Sequence, residues 1–191
     1  MEVVDAALGA GLKDLGENRV EALEARTEAF QGRGIRWHMV GHLQSRKAGR
    51  AAAVSTLIHS VDSLRLAERL DRSAGELGRP VPILVQVNTA AEEAKSGLDR
   101  ERAMEELATI VAMEGLQVQG LMTMAPFTDD EGVLRDTFRR LRELHEGALQ
   151  DIPGYVGREL SMGMSNDFVI AVEEGSTMVR LGTALFGERP V

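Results

Sequence analysis

Apolar residues along this chain switch repeatedly between two spacings. Short, dense apolar runs alternate with longer stretches in which apolar residues recur every three or four positions. Residues 3–11 and 19–30 carry the helical spacing, the second with Val20, Leu23 and Thr27 on one side. Residues 13–16, 35–40 and 56–61 are compact enough for strands, and 44–54 is an Ala-rich helix between the last two. Asp62 or Ser63 caps the helix that follows, which carries Leu66, Ala67, Leu70 and Ala74 inward. The run at 81–88 is a largely apolar strand rich in β-branched residues, the pattern of a strand buried on both faces. A polar loop leads to a helix predicted over 99–113, with Met104, Leu107, Ala108 and Val111 inward. After a strand at 116–123, Asp129 or Asp130 opens a long helix striped by Leu134, Phe138, Leu141, His145 and Ala148. Two last strands end in Ser161-Met162-Gly163-Met164-Ser165 and Val179-Arg180-Leu181-Gly182-Thr183.

Seven strands, each followed by a helix or by the end of the chain, read as repeated parallel βαβ units. The fold class is α/β, a TIM-type parallel (β/α) barrel with about seven strands, one short of closure and truncated at its N-terminal side. The strands near Leu15 and Val179 are then unpaired edges facing each other across a gap. Residues 1–191 read as one domain, since no linker or repeat interrupts the alternation.

A net charge of −8 argues against a nucleic-acid backbone as partner. With no cysteine there is no disulfide or thiolate metal site, and the four histidines lack metal-ligand spacing. No apolar run is long enough for a membrane span, and no basic leader follows Met1, so the expected location is cytoplasmic. Lysine is scarce: Lys13, Lys47 and Lys95 stand against 19 arginines.

The candidate chemistry lies where strands end. Ser165 is placed to cap a helix starting near Asn166, whose free N–H groups form an anion site. Gly182 and Thr183 follow the last strand and can offer amides to the same anion. Arg180 interrupts an apolar strand. Burial without a partner is costly, so it meets either an anion, an acceptor, or a carboxylate such as Glu17 or Asp62. Asn18 is either an N-cap or a ligand-facing amide. His38, beside the one Trp, is either a satisfied core histidine or part of the site. Gln86 and Asn88 end a buried strand and are structural or ligand-facing. Lys95 is either solvated or a loop cation, and Met122 and Met124 read as pocket wall.

Taken together, several segments resemble the pyridoxal phosphate homeostasis family, a relative of the alanine racemase barrel. They are Gly16-Glu17-Asn18-Arg19, residues 37–47, His59-Ser60-Val61-Asp62-Ser63, Lys95-Ser96-Gly97, Gly120-Leu121-Met122, Ser161-Met162-Gly163-Met164-Ser165, and residues 175–187. The resemblance implies a protein that binds pyridoxal 5′-phosphate (PLP) without turnover. It implies that Ser165, Gly182 and Thr183 hold the phosphate, that Arg180 faces the pyridine nitrogen, and that Asn18 and His38 line the ring. A cation opposite that nitrogen keeps it unprotonated, which makes the ring a poor electron sink. PLP-dependent apoenzymes are the implied recipients, and the expected state is a monomer or weak dimer.

The family's PLP lysine ends its first strand, and residues 1–7 here already match the helix after it. None of Lys13, Lys47 or Lys95 matches that position, so the chain is expected to start late or to have lost covalent binding. Two other readings stay open: a racemase-like enzyme, which needs a second base where only Tyr155 is available, and a degenerate barrel for another phosphorylated ligand.

Overall fold

The computed structural model describes residues 2–90 and 96–187. Helix α1 (Glu2–Gly9) leads to β1 (Asp14–Glu17), α2 (Val20–Ala29) and β2 (Arg36–Met39). A single 3-10 turn at Ser45–Lys47 runs into α3 (Ala48–Val54), then β3 (Leu57–Val61), α4 (Leu64–Leu77) and β4 (Val81–Asn88). The order continues with β5 (Leu98–Asp99), α5 (Ala103–Val111), β6 (Leu116–Met122) and α6 (Glu131–Asp151). It closes with β7 (Glu159–Met164), α7 (Phe168–Glu173), β8 (Met178–Arg180) and α8 (Thr183–Phe186).

Seven strands form the sheet in the order β1-β2-β3-β4-β6-β7-β8, every neighbour parallel. β5 is an eighth strand of two residues that lies off this path and extends the end of β4, with Val87 opposite Leu98. Among the described residues β1 pairs only with β2 and β8 only with β7, so Leu15 and Val179 sit on open edges as anticipated.

The sheet is nearly closed into a barrel. In a flat sheet β3 and β7 would lie three strand spacings, about 14 Å, apart. Yet His59 Nδ1 of β3 is 2.9 Å from Ser161 Oγ of β7. A cavity of about 260 Å³ at the N-terminal ends of the strands is lined both by Asp14 of β1 and by Met178 of β8. The two open edges therefore come round to the same interior.

β4 is the centre of the sheet. Val81, Ile83, Leu84, Val85 and Val87 are all buried, as its apolar pattern on both faces requires. Helices cover the outside. Leu134, Phe138, Leu141, His145 and Ala148 of α6 are buried on one stripe. Of the two caps considered for α4, Ser63 takes the role, its hydroxyl accepting from the Leu66 N–H. For α6 the cap is Asp130, which accepts from Val133 N–H. α5 begins at Ala103 rather than Asp99, because the Asp99 carboxylate accepts from the Glu101 N–H and holds a turn there. Its fully buried stripe is accordingly Ala103, Leu107 and Ile110, with Met104, Ala108 and Val111 at the margin.

Gly163 sets how β7 meets α7. Its φ is +96°, and a Cβ there would lie 2.6 Å from the Ala171 Cβ. Gly163→Ala combines an unfavourable backbone conformation with an overlap against α7. It should cost about 3 kcal/mol, read as a lowered urea midpoint with an unchanged m-value.

Candidate functional site

The last two strands deliver their residues side by side. β7 and β8 pair Ser161 with Met178 and then Met164 with Arg180, so the register slips between them. The slip brings Ser165, just past the end of β7, against the turn that follows β8. Ser165 does not cap α7: that helix starts at Phe168 with Asp167 at its N-cap, and buried Asp167 accepts instead from the Met164 N–H at 2.5 Å. A carboxylate placed to close the turn after β7 displaces the serine from the capping position. The freed hydroxyl accepts from the Gly182 N–H at 3.2 Å and the Ala184 N–H at 3.1 Å. Among the described residues no acceptor meets the Thr183 N–H, which lies between those two. Ser165, Gly182 and Thr183 are thus brought together on a half-exposed to exposed rim.

Arg180 is held by oxygen atoms without formal charge. Its guanidinium donates to Ser161 Oγ at 2.7 Å, to the Ser161 carbonyl at 2.8 Å and to the Thr123 carbonyl at 2.9 Å. The carboxylates considered as partners are engaged elsewhere, Glu17 with Arg26 at 2.5 Å and Asp62 with His42 at 3.1 Å. Loss of hydration in the barrel interior pulls the Arg180 pKa down to about 10, with Asp167 opposing from a distance.

Beneath Arg180 runs a line of buried polar groups. Ser161 Oγ is 2.9 Å from His59 Nδ1, His59 Nε2 is 2.8 Å from His38 Nδ1, and His38 Nε2 is 3.2 Å from Asp14 Oδ1. Ser161, His59 and His38 are buried, whereas the Asp14 side chain is 49% exposed and also bound by Arg36. Burial holds both imidazoles below their ordinary range, His59 well below it, with His38 and Arg180 adding to the effect on His59. The Arg36 guanidinium beside Asp14 holds that carboxyl low.

His38 therefore touches Asp14 and His59, both of its ring nitrogens are engaged, and it reaches Arg180 only through His59 and Ser161. Asn18 is exposed, follows β1, and has no side-chain capping bond to α2, whose N-cap is Arg19. Its backbone lies so close to Gly41 that a Cβ on Gly41 would be 2.4 Å from the Asn18 carbonyl oxygen. The Gln86 amide donates to the Ser96 carbonyl at 2.8 Å and is structural, and Met122 is fully buried. Lys95 lies outside the described residues. Ser161, Thr123 and Asp14 were not singled out in the sequence. A serine between Leu160 and Met162 in an apolar strand was the one available signal.

This arrangement defines a parallel α/β barrel protein with its polar groups gathered inside the barrel and at the carboxyl ends of its last strands. Residues 1–190 match the family model "Alanine racemase, N-terminal domain". The chain is 38% identical over 188 residues, 98% of its length and 82% of the relative's, to the pyridoxal phosphate homeostasis protein of Aquifex aeolicus. It is 40% identical over 187 residues to that of a Synechocystis species, covering 97% of this chain and 85% of the relative. The structure of PipY from Synechococcus elongatus with PLP bound superimposes with a TM-score of 0.90 at 38% identity, covering 97% and 87% of the two chains. The chain belongs to the alanine racemase N-terminal domain family and, within it, to the pyridoxal phosphate homeostasis proteins. No helix among the described residues is long and apolar enough to cross a membrane.

The depressed imidazoles make stability pH-dependent. His38, His59 and His145 stay neutral in the folded protein at pH values where the unfolded chain takes up protons. Their contribution is complete above the unfolded value of about 6.5 and declines as pH falls below it. Thermal melts between about pH 8 and pH 5 should show Tm falling on the acid side. The slope should be shallower for His59→Gln than for the parent, even if the variant starts from a lower Tm.

Proposed function

We propose that this chain binds PLP reversibly as a carrier and buffer, without catalytic turnover. The observation that carries the reading is the Arg180 guanidinium, held in the barrel by neutral oxygens and standing beside the Ser165 rim. A cation with no carboxylate in contact among the described residues, next to a hydroxyl on which two amides already converge, suits a ligand with a phosphate and an acceptor nitrogen. PLP supplies a reactive aldehyde on an electron-accepting ring. In this proposal Ser165 and the amides of Gly182 and Thr183 hold the phosphate, Arg180 faces the ring nitrogen, and Asn18 lines the ring from the exit of β1. His38 supports the site from below instead of contacting the ring, since both of its nitrogens are taken.

Arg180 opposite the ring nitrogen disfavours its protonation and so limits carbanion chemistry. Among the described residues, neither the one tyrosine nor a lysine is available as a second base. Tyr155, the one tyrosine, is buried against His145 at 2.8 Å, and burial pushes its hydroxyl pKa up. Of the described lysines, Lys13 precedes β1, and Lys47, in the connection between β2 and α3, is committed to Glu21 at 2.7 Å. The 191-residue chain is therefore expected to hold PLP without a lasting bond to lysine.

Two measurements test this. Ser165→Ala removes an acceptor for two amides and a donor to phosphate, and should weaken PLP binding by about 1.5–3 kcal/mol, roughly tenfold to a hundredfold. Titration by absorbance or calorimetry giving an unchanged Kd would count against the phosphate site. Borohydride treatment of the PLP-loaded chain followed by intact-mass analysis should give no stoichiometric pyridoxyl adduct. A single adduct on one of the three lysines would overturn the non-covalent reading.

A further inference from the structure

The hydrogen bonds from Asp14 to Arg180 have one consistent direction. Asp14 is ionised and can only accept, so His38 presents Nε2–H to it. A neutral His38 then accepts at Nδ1, and His59 must present Nε2–H. A neutral His59 accepts at Nδ1, so the Ser161 hydroxyl donates to it. Ser161 Oγ is left to accept, and Arg180, which can only donate, supplies that bond. Followed from either end the assignment closes without a conflict, and each intermediate group passes one hydrogen bond onward. We infer that Ser161, His59 and His38 form a polarised relay that positions Arg180 for its ligand and links its hold to the protonation of the exposed Asp14 end of the barrel. The inference rests on the PLP-binding reading, and makes these three positioning residues, since none need touch the cofactor.

One added proton breaks the pattern. If His38 is protonated, its Nδ1–H meets His59 Nε2, and His59 has to move its own hydrogen to Nδ1. Ser161 Oγ then receives from both His59 and Arg180, and its hydroxyl hydrogen loses its acceptor. The defect lands on the bond that anchors the guanidinium. Protonating His59 first leads to the same place. The groups that set this equilibrium are few. His38 faces Asp14 from β1, Arg36 on its own strand and His59 from β3. Glu159 of β7 lines the same cavity as Asp14, Arg36 and His38, its carboxylate bonded to Thr177. His59 faces His38, Ser161 and Arg180. Asp14 favours the His38 imidazolium, while burial and the two arginines oppose protonation.

The test combines a signature of the ligand-free protein with a binding profile. Long-range ¹H–¹⁵N spectra of the histidines at about pH 7.5 should place both His38 and His59 in the neutral Nε2–H form. Either ring in the Nδ1–H form, or charged, overturns the relay. PLP titrations from about pH 7.5 to pH 5 should show affinity falling on the acid side. PLP's own titrations are common to all variants and cancel between them. Ser161→Ala should bind roughly tenfold more weakly near neutrality, with a flattened acid limb. Affinity within twofold of the parent, or a loss with the acid limb intact, marks Ser161 as merely structural and overturns the proposal. Asp14→Asn keeps an acceptor for His38 but removes the charge that favours its imidazolium, so the acid limb should move to lower pH. No movement overturns the link to Asp14. A protein with both rings in the Nε2–H form and no PLP binding refutes the cofactor reading while leaving the hydrogen-bond chain. A PLP binder with either ring otherwise refutes the relay while leaving the cofactor reading.

Discussion

A guanidinium in the interior of a barrel needs acceptors, and among the described residues Arg180 finds carbonyls and one hydroxyl. Burying a charge is tolerable when its donors are matched, because the unmet desolvation cost is then confined to the missing counter-charge. Meeting that demand draws in parts of the chain that are far apart in sequence. The Ser161 carbonyl and hydroxyl come from β7, and the Thr123 carbonyl comes from the exit of β6. The β7–β8 register slip sets Arg180 opposite Met164, and the same pairing puts Ser165 against Gly182. The rim and the half-buried Arg180 anchor are consequences of one strand pairing.

The backbone reaches these positions because several close approaches admit only glycine. At Gly120, with φ at +155°, a Cβ would fall 1.9 Å from the Glu159 carbonyl oxygen. That contact lets β6 and β7 run close enough for the Thr123 and Ser161 carbonyls to reach the same guanidinium. Gly163 does the same between β7 and α7, which fixes where Asp167 turns the chain. The helix after β8 is a single exposed turn, and Ser165 holds the Gly182 and Ala184 amides at its start, near solvent. A firm interior beneath a lightly held rim suits a ligand that must be taken up and given back.

Charge is distributed in a way that separates the two ends of the barrel interior. Asp14 and Arg36 pair at the half-exposed N-terminal end, and Arg180 stands toward the carboxyl end with two neutral imidazoles and a serine between. The numerous surface pairs, such as Arg33 with Asp5 and Arg139 with Glu143, lie on the outer layer. Pairs of that exposed kind contribute little individually. The interior line differs because its members are dehydrated and each has only one or two possible partners.

The strand–helix alternation, the seven-strand path, the α6 stripe and the β4 core were legible in the sequence, because burial on one or two faces imposes a period on the residues themselves. Arg180 was legible too, as a charge inside an apolar strand, and so were the small polar residues after the last two strands. Boundaries at Asp99 and Ser165 were not, because a short polar side chain can close a turn or cap a helix, and the choice depends on which neighbour reaches the amide first. Asp167 took the place expected for Ser165 for that reason. The Asp14–His38–His59–Ser161 line was hidden for a different one. Its first three members lie on neighbouring strands, but Ser161 comes from β7, which meets β3 only when the sheet is rolled, and His59 and Ser161 are 102 residues apart in the chain. Local sequence sets which residues turn inward, since that depends on a two-residue alternation along a strand. Which inward residues then touch depends on curvature and register across the whole sheet, and only the tertiary structure determines those.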